Sequence, residues 1–174
     1  MRTFTHKSPI DKVIQLTKSL LPFFRRAQRP LIIVSVGGFT ENRPLPLEQR
    51  WERYLRVAQS FAEVDTEAVD ILPQTLPPFP WYFGGQRFSN IFVDADDIVR
   101  FCEEFGQRVC LDISHSALTA NERGINLRDF VEQVGPFTSH LHIVDAAGVD
   151  GEGLQIGEGE IDFPQLAKDL ASLA

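Results

Sequence analysis

Two segments of the sequence combine aspartate and histidine in a spacing that suits a metal ion. Residues Asp112 to His115 read DISH, and residues His140 to Asp145, about 25 residues later, read HLHIVD. Together they hold three of the four histidines in the chain. Carboxylate and imidazole groups bind divalent ions such as Zn²⁺, Mn²⁺, Co²⁺ or Mg²⁺, and oxygen ligands favour the harder ions. The two segments therefore predict a divalent metal site.

Each segment lies at the end of a short apolar run, which predicts a β-strand in both places. Because side chains alternate along a strand, His140 and His142 should point to one face of the sheet. A third predicted strand, residues 69–72, leads directly to Gln74. Active sites of parallel sheets lie at the carboxyl ends of the strands. We therefore expect the side chains at the ends of these three strands to lie close together at this edge. The side chains expected there are Gln74, Asp112, His115 and His142.

Each of these residues also has a simpler interpretation. Asp112 also fits a cap for the loop after its strand, although with less weight than a ligand, and a single histidine such as His115 is more often an ordinary loop residue. His140 fits a packing residue, or one that supports a ligand, better than a ligand itself. Asp145 is also typical of a turn. The metal-site hypothesis therefore depends on the shared geometry and on no residue alone.

The rest of the chain alternates between strand and helix patterns. Helices are predicted over 11–27, shortened by Pro22, then over 45–63, from a cap at Asp94 to Phe105, over 127–134, and from about Phe163. Strands are predicted over 31–36, 69–72, 108–112 and 139–144. Alternating strands and helices indicate an α/β fold with about four parallel strands and right-handed connections.

The overall composition limits the class of protein. A chain of 174 residues with 43% hydrophobic content can bury a core, and we expect one domain over 1–174. A net charge of −7 argues against nucleic acid or an anionic membrane as partner. The sequence has no apolar run of membrane-spanning length and no signal-peptide pattern at its start, so a cytoplasmic location is expected. Two cysteines, interpreted as buried apolar residues, agree with a reducing compartment.

Two loops have unusual composition. Residues 73–87 are rich in proline, glycine and aromatic side chains, and Trp81 is a candidate either for contact with a ligand or for a hydrophobic lid. Residues 148–159 are rich in glycine but lack the Lys-Ser/Thr of a phosphate-binding loop. We therefore exclude nucleotide binding for this segment and predict a structured turn loop beside the site.

The order of these motifs resembles the xylose isomerase-like TIM-barrel superfamily. That superfamily contains sugar and sugar-phosphate isomerases and epimerases, and also the endonuclease IV type of DNA-repair nuclease. Asp112 with His115 is similar to its Asp-x-x-His, His142 with Asp145 is similar to its next element, and residues 157–163 (GEGEIDF) are similar to its glycine-rich stretch. The match runs from about residue 71 to residue 163. Residues 78–86 further resemble a loop of the domain appended to sialic acid synthase-like proteins.

The resemblance implies a partial (β/α)8 TIM barrel whose divalent metal is held by Asp112 and His142, with Gln74 as third ligand. His115 would be the catalytic residue. The substrate, a small-molecule sugar, would contact Trp81, Asn121 and His140. The family has a glutamate where this chain has Gln74, and its last glutamate comes from a strand beyond the four counted here. We therefore expect self-association, or further barrel strands from sequence outside this chain.

Three functions follow in decreasing order of support. The first is a metal-dependent sugar or sugar-phosphate isomerase or epimerase domain, truncated or inactive if its carboxylates are lost. The second is a non-catalytic carbohydrate-binding or assembly module on the same fold. The third is an endonuclease IV-like nuclease, which the acidic charge and the four histidines disfavour.

Overall fold

Four parallel strands form the centre of the protein. The computed structural model describes residues 9–24, 29–82 and 85–172. Its strands are β1 (Leu31–Val34), β2 (Asp70–Pro73), β3 (Trp81–Tyr82), β4 (Gly85–Gln86), β5 (Val109–Asp112), β6 (Thr138–His142), β7 (Asp145–Ala147) and β8 (Gly151–Leu154). β1 pairs in parallel with β2, and β5 pairs in parallel with β6. A single parallel bridge between Gln74 and Cys110 joins the two pairs.

The helices alternate with these parallel strands. They are α1 (Pro9–Leu20), α2 (Leu47–Ala62), α3 (Ala95–Phe105), α4 (Ile113–Arg123), α5 (Leu127–Val134) and α6 (Phe163–Ala171). The order β1-β2-β5-β6 with intervening helices confirms the predicted α/β fold and is that of a partial TIM barrel. β3–β4 and β7–β8 are short antiparallel hairpins inserted after β2 and β6.

Most of the predicted helices are observed. As expected, Pro22 shortens the first helix, because it lies in a short 3-10 turn, Leu21–Phe23, that follows α1. The remainder of that predicted helix, residues 25–27, lies outside the described residues. α4 was not predicted, because it starts immediately after β5 with no intervening loop. Its sequence, ISHSALTANER, has a weak amphipathic pattern, since eight of its eleven residues are buried.

The capping prediction at Asp94 is wrong in its mechanism. Asp94 occupies the residue before α3, but its side chain makes no capping hydrogen bond. Its carboxylate instead accepts from Arg50 Nη1 at 2.9 Å and from Arg123 Nε at 2.7 Å. Charge-assisted bonds to two guanidinium groups are stronger than a bond to a backbone N–H, so they take the carboxylate away from the helix end. Gly106 ends α3 as predicted, in the left-handed conformation with φ 62°.

The helices cover one face of the sheet. Val109 and Leu111 of β5 pack with Phe101 of α3 and Phe130 of α5 in the main hydrophobic cluster. A smaller cluster joins β1 and β2 to α1 through three residues, Ile14, Ile32 and Ile71. Since strand side chains alternate, the residues at 110, 112, 140 and 142 lie on the opposite face.

Both cysteines are free, buried thiols, which agrees with their interpretation as apolar core residues. Burial raises the pKa of each thiol to about 12, so neither is a thiolate near neutral pH. No helix among the described residues is both long and apolar enough to cross a membrane.

Candidate active site

The ends of β5 and β6 bring Asp112 and His142 together. In the parallel register of these strands, Asp112 is the partner of His142, and Cys110 is the partner of His140. The rings of His140 and His142 lie on one face, with centroids 5.3 Å apart and planes at 86°. Alternation along β6 predicts this shared face.

The Asp112 carboxylate is buried and contacts both histidines. Its Oδ2 lies 3.4 Å from His142 Nδ1 and 3.6 Å from His115 Nδ1. Its Oδ1 accepts a hydrogen bond from the His115 backbone N–H at 3.2 Å, which caps the first turn of α4. Asp112 therefore caps α4 and also contacts two imidazoles, whereas its role as a metal ligand stays a prediction.

His115 is held at both ring nitrogens. Nδ1 lies 2.7 Å from the Thr75 carbonyl oxygen, so Nδ1 carries a proton and donates it there. Nε2 lies 2.9 Å from Glu152 Oε1. Burial alone lowers the pKa of this imidazole, but the Glu152 hydrogen bond, the Asp112 charge and the Thr75 carbonyl outweigh it and raise the pKa. The hydrogen bond from His115 lowers the pKa of Glu152 in turn. Both shifts favour the imidazolium–carboxylate form of the pair.

Glu152 is a site residue that the sequence analysis missed. It lies on β8, which pairs antiparallel with β7 and returns over the start of α4. The Gly153 backbone N–H donates to Ser114 Oγ at 3.3 Å and fixes this approach. A structured turn loop beside the site was predicted for this segment, but its acidic residue was not assigned a role. One feature of the sequence could have indicated a role for it: Glu152 stands between two glycines, Gly151 and Gly153, whose lack of side chains leaves its carboxylate accessible.

Asp145 organises the same glycine-rich segment. It is only 1% exposed, and its carboxylate accepts from four backbone N–H groups, those of Ala146 (2.9 Å), Gly157 (2.9 Å), Gly159 (3.0 Å) and Ile161 (3.2 Å). Burial raises the pKa of this carboxyl, but the four donated hydrogen bonds outweigh burial and lower it. Asp145 therefore holds a long turn together, a larger role than that of an ordinary turn residue.

The other predicted site residues, Gln74, Asn121 and Trp81, make their contacts with other parts of the chain or with solvent. Gln74 follows β2, opposite Cys110, and its amide nitrogen donates to Ser35 Oγ at 2.8 Å. Asn121 donates to the Gly148 carbonyl at 2.7 Å and lines a cavity of about 430 Å³ between α4, α5 and α6. Trp81 is 63% exposed on the β3–β4 hairpin. None of the three makes a hydrogen bond to Asp112, His115 or His142 within the described part of the chain.

The described residues supply only part of a metal site. Asp112 and His142 are ligands of the right chemistry, whereas Gln74 offers a neutral amide oxygen. Among residues 9–24, 29–82 and 85–172, no group of three or more His, Cys, Asp and Glu side chains is placed to hold a metal ion. His115 adds no free nitrogen, because Thr75 and Glu152 occupy both. The donor set within the described chain is thus incomplete.

The chain is similar to several known proteins. A protein from Methanocaldococcus jannaschii, itself described as uncharacterized, is 25% identical in an alignment of 182 positions that covers 81% of this chain and 60% of that protein. The crystal structure of a D-tagatose 3-epimerase-like protein superposes with a TM-score of 0.58 at 18% identity, covering 95% of this chain and 61% of that chain. The probable 3-DHS dehydratase AsbF of Bacillus anthracis gives the same TM-score of 0.58 at 14% identity, covering 97% of this chain and 63% of that chain.

The two structural likenesses establish the fold alone, because both sequence identities are below 25%. This chain spans between 60% and 63% of the length of these three proteins. The resemblance of residues 78–86 to the domain of sialic acid synthase-like proteins stays a prediction. The family described as xylose isomerase-like TIM barrel matches residues 5–174, nearly the whole sequence. The chain therefore belongs to the xylose isomerase-like TIM barrel family.

Proposed function

We propose that this chain carries part of the active site of a sugar isomerase or epimerase. The substrate would be a sugar with a carbonyl group next to a hydroxylated carbon. The observation that supports this function best is the hydrogen-bonded pair of His115 and Glu152 beside Asp112, at the carboxyl ends of adjacent parallel strands. Active sites of TIM barrels lie at this end of the sheet.

The His115 imidazolium would stabilise negative charge on a substrate oxygen. Thr75 fixes the orientation of the ring through Nδ1, so the proton on Nε2 is the one available to substrate. A sugar oxygen that takes the place of Glu152 Oε1 at Nε2 would receive this proton as charge develops. Exposed aromatic groups would contact the sugar ring, with Trp81 and His140 in this role. Asn121 would act indirectly, by anchoring the Gly148 carbonyl of the hairpin turn.

A divalent ion would be held by Asp112 and His142, with Gln74 as a neutral third ligand. When bound, such an ion polarises the carbonyl and hydroxyl oxygens of the sugar. The short distance between Asp112 Oδ2 and His142 Nδ1, 3.4 Å, supports a shared ion. The remaining ligands would come from outside the described residues or from water.

The test measures metal binding and turnover separately. Equilibrium dialysis of EDTA-treated protein against Mn²⁺ should show binding that is lost in Asp112→Asn and in His142→Ala. The control is Asp150→Asn, which changes an exposed acidic residue of the glycine-rich segment 148–159 and should keep the binding. Conversion of D-tagatose or D-fructose to an epimer or aldose is then followed by NMR with and without Mn²⁺. Absence of turnover in both conditions would contradict the proposed reaction.

A non-catalytic carbohydrate-binding module is the second candidate. Two observations favour this module. Gln74 is neutral at the position where the family resemblance places a glutamate, and the described residues do not supply a complete set of metal ligands. Sugar binding by metal-free protein, seen as ligand-induced shifts of the His140 and His142 resonances without turnover, would support this module over the enzyme.

A further inference from the structure

We infer that Glu152 is the carboxylate that removes and returns the proton on the sugar carbon. This assignment rests on the proposed isomerase or epimerase function. Such a reaction needs a base beside the carbon that carries the exchanging hydrogen. Gln74 stands where the family resemblance places a glutamate, and an amide has no basic oxygen at neutral pH.

The other carboxylates beside the site are already occupied. Asp112 has a side chain only 8% exposed and is shared between the start of α4 and two imidazoles. Asp145 accepts four backbone N–H groups and is 1% exposed. Both carboxylates are buried and held by these contacts, so neither can approach a substrate.

Glu152 differs in exposure and in its contacts. Its side chain is 43% exposed, and within the described residues its hydrogen bonding is limited to Oε1 with His115. The second oxygen, Oε2, is therefore available to a ligand. The flanking residues Gly151 and Gly153 add no side chains on either side, and Gly153 has a left-handed φ of 75°. The carboxylate can thus be reached by a sugar that lies against His115.

The pairing of Glu152 with His115 places a base and an acid on one substrate. The Glu152 carboxylate takes the proton from the carbon next to the carbonyl. The C–H electron pair forms a carbon–carbon double bond, and the carbonyl oxygen takes the proton from His115 Nε2, which gives a neutral enediol.

Return of the carbon proton from Glu152, with return of an oxygen proton to His115, completes the exchange. When Glu152 returns the proton to the former carbonyl carbon, the carbonyl and hydroxyl groups swap places, which is isomerisation; epimerisation needs a second acid on the opposite face of the enediol. The overall reaction therefore needs no oxidant or reductant.

The experiment follows exchange of carbon-bound hydrogen in D₂O. Wild-type chain and its Glu152→Gln variant are incubated with D-tagatose, and loss of the C3 proton signal is recorded by ¹H NMR. The amide of glutamine keeps an oxygen that accepts from His115, so the hairpin contact is retained while the base is removed. We expect exchange to fall at least about 100-fold in Glu152→Gln, the usual scale for loss of a general base.

Two further variants separate chemistry from folding. Glu152→Asp keeps a carboxylate on a shorter side chain and should retain measurable exchange, above that of Glu152→Gln. Glu158→Gln removes an exposed glutamate of the same glycine-rich segment and should exchange at the wild-type rate.

The outcomes are distinct. Wild-type exchange that persists within twofold in Glu152→Gln overturns the role of Glu152 and leaves the proposed function standing. Absence of exchange by the wild-type protein with D-tagatose and with D-fructose overturns the proposed function, and the role of Glu152 with it.

Discussion

Glu152 Oε1 and His115 Nε2 lie 2.9 Å apart, although 37 residues separate them in the chain. The contact joins the β7–β8 hairpin to the first turn of α4 and closes one side of the candidate site. Because His115 is buried and also bonded to Thr75, it cannot rotate away from this contact without losing the Thr75 hydrogen bond. The position of the hairpin and the charge of His115 are therefore coupled.

The first prediction concerns the charge of His115. In Glu152→Gln the imidazole loses its carboxylate partner, while the burial that disfavours the imidazolium remains. The pKa of His115 should therefore move downward from its wild-type value. It is measured from the pH dependence of the ¹⁵N imidazole resonances of His115.

The matched control for this titration is Glu158→Gln, which removes one negative charge from the same segment without touching His115. Its His115 titration should overlay that of the wild-type protein. Equal downward movement in both variants would mean that the general charge of the segment, and not the Glu152 contact, sets the pKa.

The second prediction tests the role of Asp94. Asparagine is as good a helix cap as aspartate, so Asp94→Asn would be neutral if Asp94 capped α3. The structure instead pairs the carboxylate with Arg50 and Arg123, and the Asp94 side chain is 29% exposed. We expect Asp94→Asn to lower the free energy of unfolding by about 1 kcal/mol, the scale of a partly exposed ion pair.

Urea denaturation at low and high salt measures this effect. The loss in Asp94→Asn should be smaller in 0.5 M NaCl than in 20 mM NaCl, because salt screens partly exposed charges. Asp96→Asn, in the first turn of the same helix, is the control. A loss in Asp94→Asn that does not change with salt would argue for a structural role other than ion pairing.

The parallel strands and most helices were predictable because their signals are local. The apolar run before Gly37 and the run ending at Asp112 are short and rich in β-branched or apolar residues, as buried parallel strands are. α5 was predicted at its observed limits, Leu127–Val134, because its apolar residues follow a clear helical period. Such features depend on residues within one or two turns of each other.

The parts that were missed depend on tertiary contacts. α4 is buried on most of its surface, so its apolar residues do not follow a one-sided helical period. Glu152 enters the site through the β7–β8 hairpin and its contact with the start of α4, which join residues far apart in the sequence. The substrate contact of Asn121 stays a prediction, and its hydrogen bond to the Gly148 carbonyl, which places it beside the hairpin turn, was not predicted. Neither contact is visible in a sequence window.

The third prediction concerns the Gly159 position. A Cβ added at this residue would collide with the Ala146 carbonyl oxygen and with Asp145 Oδ1. Because the first of these is backbone, the turn must move to accept a side chain, and we expect Gly159→Ala to destabilise the protein by about 1–3 kcal/mol. Gly124→Ala, at a position with φ 66° and open space, should cost less, about 1 kcal/mol. Equal losses in urea denaturation would contradict the close approach at Gly159.

The fourth prediction concerns Asp145 and its dependence on pH. Asp145→Asn leaves two of the four backbone donors without any acceptor, since the amide nitrogen cannot accept, and leaves the other two with a neutral acceptor. We expect a loss of about 2–4 kcal/mol in the free energy of unfolding at pH 7, from buried hydrogen bonds to a charged group. The exposed control Asp150→Asn should change stability by less than about 0.5 kcal/mol.

The pH dependence of this loss follows from the lowered pKa of Asp145 in the folded protein. A carboxyl whose folded pKa is below its unfolded value, 3.8, stabilises the protein fully above 3.8. This stabilisation disappears as pH falls through the folded pKa, because the carboxyl is then protonated in both states. The difference in stability between wild type and Asp145→Asn should therefore be constant from pH 5 to pH 7 and shrink below about pH 4. A difference that stays constant down to pH 2 would show that the shape of the side chain, and not its charge, holds the turn.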